Sequence, residues 1–76
     1  MNEKTFPYGE QPSKSYPYLW ASRKIGANYG DVLHYVGNCL TGTCSESYLS
    51  QWQREFVTHV WIIEMERRLA LLEAQR

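Results

Sequence analysis

Four side chains of this sequence have the chemistry to hold a metal or attack a substrate: His34, Cys39, Cys44 and His59. Zinc takes imidazoles and thiolates, and compact sites present them in closely spaced Cys or His pairs. Here four residues separate the two cysteines and the histidines lie far apart, so no such pair is formed. A nucleophilic thiol needs a base against it and a positive surrounding. Cys44, read at a helix start, would gain some thiolate character from the helix dipole, with His34 or His59 as base. Nothing in the sequence supplies a third group to orient that base. The plainer expectation is two free thiols packed as small apolar residues at a helix corner. No metal, no cofactor and no enzymatic activity are expected.

The remaining chemical candidates are weaker. Glu64 and Glu66 are two apart, so on a helix they point to different sides and do not form a paired-carboxylate site. Glu64 and Arg68 have i,i+4 spacing, which suits a solvated surface pair worth a few tenths of a kcal/mol. Gly26 and Gly30 have no strand before them and cannot be a phosphate loop. His59 lies at the edge of an apolar helix face, where a half-buried packing role is expected rather than a pH switch.

These residues sit in a chain of 76, which can build one core but not two. Hydrophobic residues are 43 % of it, enough to fold. Eight basic residues balance eight acidic ones, so no bulk field draws the protein to nucleic acid or an anionic membrane. No apolar run approaches the roughly 18–20 residues that span a bilayer. The start, Met1 to Pro7, lacks the basic and apolar regions of a secretory signal. A soluble cytoplasmic protein is therefore expected, with no membrane partner and with its thiols reduced.

The elements follow from local signals. Residues 1–16 carry Pro7, Gly9 and Pro12, which break any helix, and read as an extended arm. Its Phe6, Tyr8 and Tyr16 are expected to pack along the protein's own body or to engage a partner. A first helix is expected over 17–25, with Pro17 in its first turn, Ser15 or Tyr16 before it, and Gly26 as its left-handed stop. Tyr18, Ala21 and Ile25 share a face, and Arg23 and Lys24 complement the dipole in the last turn. A second helix is expected over 29–40, capped by Asn28, with Asp31 in a capping-box position. Its apolar stripe is Tyr29, Val32, Leu33, Val36 and Leu40; Gly37 within it costs about 1 kcal/mol relative to alanine. Gly42 follows as a stop. A third helix is expected over about 45–74, capped by Thr43 with Glu46, or by Ser45. No Gly or Pro occurs from Ser47 to Ala74. The expected fold is all-α, with two short helices packed on one long C-terminal helix and an extended N-terminal arm.

Projected at 100° per residue, the long helix has two apolar faces. One holds Leu49, Trp52, Phe56, Val60, Ile63, Ala70 and Leu71. The other holds Val57, Trp61, Met65, Leu69 and Leu72, with Ile62 at its edge. A small monomer needs one such stripe, not two. Ile62, Met65, Leu69 and Leu72 also follow the alternating steps of a coiled-coil seam.

The stretch from Tyr18 to Tyr35 is similar to a helix-turn-helix over about a quarter of the chain. Ala21 and Ile25 match core positions of its first helix, Gly26 the turn, and Val32 and Tyr35 core positions of its second, with Leu33 facing a groove. The resemblance implies DNA contact through Lys14, Arg23, Lys24, Asn28 and His34. Charge argues the other way, because no Lys or Arg occurs between Lys24 and Arg54, and basic side chains supply most affinity for DNA.

The expected function is binding. A larger protein, or a second copy of the chain, would dock on Trp61, Ile62, Met65, Leu69 and Leu72, with Arg67 and Arg68 as a polar rim. Tyr8, Tyr16, Tyr18 and Trp20 would be secondary anchors. In size and style such a chain is similar to the accessory regulators and inhibitors that phages and mobile elements direct at host proteins.

Overall fold

The computed structural model describes residues 6–40, 42 and 47–75. The first helix, α1, spans Pro17–Ile25. Proline opens it at no cost, because the first-turn N–H it lacks would have had no intrahelical acceptor. Tyr16 is the capping residue but lends no side-chain bond; its own N–H is held by Ser13 Oγ at 3.3 Å. Gly26 ends the helix in the left-handed region at φ 69°, where a Cβ would be strained. The buried Ser22 is satisfied within the helix, donating to the Leu19 carbonyl at 2.8 Å.

The second helix, α2, spans Tyr29–His34, and Asn28 caps it by accepting the Gly30 N–H at 2.7 Å. The expected single helix to Leu40 is interrupted. After His34 the chain widens into a π-helical turn over Tyr35–Cys39, closed by Leu40 N–H to Tyr35 O at 2.9 Å. Gly37 sits at its centre, the poorest helix former of the segment, which has no proline. A Cβ there would meet nothing within 4 Å, so no close packing demands glycine. The turn is anchored by a side chain instead. Thr58 Oγ1 donates to the Arg54 carbonyl at 2.7 Å, which leaves the Tyr35 hydroxyl to donate to Thr58 Oγ1 at 2.8 Å.

The long helix, α3, spans Gln51–Ala74 and so begins several residues later than 45. Ser50, not Thr43 or Ser45, is its cap; those two and Glu46 lie outside the described residues. Ser50 N–H donates to Gln53 Oε1 at 3.0 Å, the reciprocal half of a capping box. Gln53 Nε2 also reaches the Ile25 carbonyl at 3.1 Å, so one side chain caps α3 and secures the orphan end of α1. Ahead of the cap, Ser47 Oγ accepts the Leu49 N–H at 3.1 Å, and Arg54 Nη1 holds the Leu49 carbonyl at 2.8 Å.

The fold is all-α: α1 and α2 with its π turn pack on the long α3, and the arm lies across them. The core is Phe6, Ala21, Ile25, Val32, Leu49, Phe56, Val57, Val60 and Ile63. Two assignments to the faces of α3 are corrected. Val57 is fully buried, because the π turn bonded to Thr58 extends the covered arc to its side. Trp52 is 55 % exposed, because among the described residues the arm meets α3 at Phe56, one turn short of it.

Candidate interaction surface at the far end of the long helix

The arm folds back on its own chain. Phe6 is 2 % exposed and meets three rings: Phe56 at 5.1 Å, Tyr8 at 5.4 Å and Trp20 at 5.8 Å between centroids. The Phe56 contact is edge-to-face, the arrangement that ring quadrupoles favour. Tyr8 packs on Phe56 at 5.0 Å and on the half-buried His59 at 5.6 Å. Farther on, Glu10 pairs with Lys24 at 2.6 Å, an exposed contact of little energetic weight. The arm closes on α3 at Arg67, whose Nη2 donates to the Pro12 carbonyl at 3.1 Å and Nη1 to the Ser13 carbonyl at 3.4 Å. Arg67 was expected on a polar rim; it is instead a clasp within the chain, and Pro12 is buried under it.

Beyond that clasp the described part of α3 is exposed. Residues 68–75 are all exposed, and they include Leu69 at 58 %, Leu71 at 60 % and Leu72 at 60 %. At about 1.5 Å per residue α3 is some 36 Å long, close to the 38 Å longest extent of the molecule. The body covers the first part of that length and leaves the last two turns projecting. Trp61, Ile62 and Met65, one and two turns earlier, are half-buried. With Leu69 and Leu72 they lie on the side of α3 turned away from Phe56, Val60 and Ile63. Leu71 lies on the core-facing side, but past the point where any core remains.

Polar groups flank this strip. Arg68 Nε lies 3.6 Å from Glu64 Oε2, the i,i+4 pair expected from the sequence, with Arg68 largely exposed and Glu64 largely buried. Tyr18 of α1 feels the same pair. Burial pushes its phenol above the ordinary 10.0, the Glu64 carboxylate adds to the push, and Arg68 opposes it. Because the folded phenol holds its proton longer than the unfolded one, this group takes nothing from stability below pH 10.0. It lowers stability as pH rises past that value and the unfolded chain ionises first. Tyr18→Phe is expected to flatten part of the alkaline fall in the unfolding midpoint. Ultraviolet titration should show one late phenol of the six lost in the variant. Amplitude lost around pH 10.0 itself, and not above it, would place Tyr18 in water.

Comparison with protein families, curated proteins and solved structures returns no match. The surface is therefore read from its own residues.

The other sequence-derived candidates fall elsewhere. Of the secondary anchors, Trp20 is half-buried against Phe56 at 5.9 Å and under Lys24 at 5.6 Å, while Tyr16 projects into solvent. Among the nominal metal ligands, Cys39 Sγ is 4.0 Å from His34 Nδ1, and His34 packs on Tyr48. His59 is engaged with Tyr8, and Cys44 lies outside the described residues. No trio of His, Cys, Asp or Glu placed to share a metal ion occurs among the described residues. Nor is any described helix long and apolar enough to cross a membrane.

The helix-turn-helix positions come out as a packed corner. Ala21, Ile25 and Val32 are buried, Tyr35 is half-buried, and Leu33 faces outward. The residues that would contact DNA are otherwise engaged or few. Lys14 and Arg23 are exposed, Lys24 is paired to Glu10, Asn28 caps α2, and His34 turns to Cys39 and Tyr48.

Proposed function

We propose that this chain is a small, non-enzymatic protein-interaction module of the cytoplasm, a regulator or inhibitor of accessory type. It docks on a larger protein, and associates with itself, through the far end of α3. One observation carries the reading. Leu69 and Leu72 stand exposed on a projecting helix, continuous with the half-buried Ile62 and Met65, while the described part of the arm and both short helices pack on the core. Large apolar side chains left together in water mark contact surfaces. Interface energy concentrates in such anchors, with aromatic and arginine neighbours such as Trp61 and Arg68.

The test is retention of a cellular protein by the immobilised chain, compared with Leu69→Glu and with Leu33→Glu, an exposed leucine of α2. The reading expects a protein retained by the wild type and the Leu33 variant and lost with Leu69→Glu. Equal retention by all three would overturn it.

A second reading has one observation in its favour, the packed α1–α2 corner with Gly26 in its left-handed turn. As a helix-turn-helix regulator the chain would bind duplex DNA through Arg23 and Lys24, with affinity falling steeply in salt. Its balanced charge and the engaged Lys24, Asn28 and His34 favour the first reading.

A further inference from the structure

We propose that the occupant of the bare strip is a second copy of this chain, and that the two α3 ends pair in parallel and in register. The inference rests on the reading of this strip as an interaction face and adds to it the partner and the direction of pairing. Ile62, Met65, Leu69 and Leu72 stand at alternate steps of three and four, the a and d positions of a two-stranded coil. The positions flanking such a seam, e and g, are where charge decides orientation. Here Arg68 falls at g, and Glu66 and Glu73 fall at e; all three are exposed.

In a parallel pair, the g residue of one helix faces the e residue five positions on in the other. Arg68 then meets Glu73 of the second copy, twice by symmetry, and Glu66 meets Trp61, so no like charges face each other. In an antiparallel pair, g faces g and e faces e. That arrangement sets Arg68 against Arg68 and Glu66 against Glu66. The charges on this strip therefore complement a parallel copy and oppose an antiparallel one. The in-chain partner of Arg68 does not prevent this, because the Arg68 side chain is itself largely exposed and its Nε lies 3.6 Å from Glu64 Oε2, a long contact for an ion pair. Nor is a long seam required. The helix is already formed and held by the body at Arg67, so pairing does not have to nucleate it.

Sedimentation equilibrium of the full chain tests the pairing. The wild type is expected to show a concentration-dependent mass rising toward twice the 8.9 kDa chain. Leu69→Glu should weaken association by about a hundredfold or more, with unchanged helical circular dichroism, since Leu69 lies outside the core. Arg68→Glu or Glu73→Arg alone should weaken it several-fold, and the two together should restore it. In a Cys39→Ser, Cys44→Ser background, Leu72→Cys should oxidise to a disulfide-linked dimer, because in-register parallel helices place the two thiols across the seam. A single-chain mass at every concentration would overturn the proposal. So would single charge reversals without effect, or failure of Leu72→Cys to cross-link within a dimer. A monomer that still retains a cellular protein, lost with Leu69→Glu, would remove the self-pairing and leave the interaction reading standing. A monomer with no such protein would remove both.

Discussion

Phe6→Ala is expected to cost about 3–5 kcal/mol, the usual range for removing a buried aromatic ring. A chain of this size has about 4–11 kcal/mol to lose, so the variant should sit at or near the edge of folding. The size of the effect comes from position. Phe6 belongs to a segment without helix or strand, yet it touches Tyr8, Trp20 and Phe56 at once and is as buried as Ile63 of α3. Removing it opens a cavity between α1 and α3 and releases the arm up to the Arg67 clasp. Thermal and urea unfolding by circular dichroism would measure it. A loss below 1 kcal/mol would mean that the arm is an appendage and that the helices alone form the domain.

The opposite result is expected at the other end of the molecule. Leu69→Glu with Leu72→Glu should leave the unfolding free energy of the isolated chain within about 0.5 kcal/mol of wild type, as for exposed sites away from special contacts. The same pair should abolish association. Each leucine is worth up to about 1.5–3 kcal/mol when fully buried, and here more than half of each surface is still available to a partner. A buried carboxylate would add a desolvation cost on top of that loss. Unfolding in dilute protein, paired with a binding measurement, separates the two effects. A stability loss of several kcal/mol would show that the leucines belong to a core.

Much of this architecture is legible in local sequence signals. Pro17 and Gly26 bracket α1, and Asn28 starts α2, because proline, a left-handed glycine and an Asx cap each act within a few residues. The start of α3 is not legible in the same way. Thr43-x-x-Glu46 and Ser50-x-x-Gln53 carry the same capping pattern, and the contact that distinguishes the second, Gln53 to the Ile25 carbonyl, is tertiary. The π turn is also hidden, because Gly37 marks weakness in a helix but not the direction in which it gives.

The two faces of α3 were legible as angles and not as heights. A helical projection places Val57 and Leu72 within one broad face, yet the first is buried and the second bare because the body ends between them. Trp52 shows the same limit at the other end. The clasp made by Arg67, in place of the polar rim its sequence position suggests, is hidden for a different reason. It bonds to the carbonyls of Pro12 and Ser13, and a carbonyl acceptor leaves no mark on the sequence. The strip around Leu69 and Leu72 could be found because apolar residues recur at helical spacing along the whole of α3, past the last buried position at Ile63.

The most direct measurement is the thiol reactivity of Leu69→Cys and Leu72→Cys, made singly without Cys39 and Cys44, in protein dilute enough to be monomeric. Alkylation within a few-fold of the rate for an unstructured peptide is the expected result for side chains at a bare helix end. Protection by a hundredfold or more, relieved only when the whole chain unfolds, would mean that this end of α3 is sheltered by its own molecule and has no free face to offer.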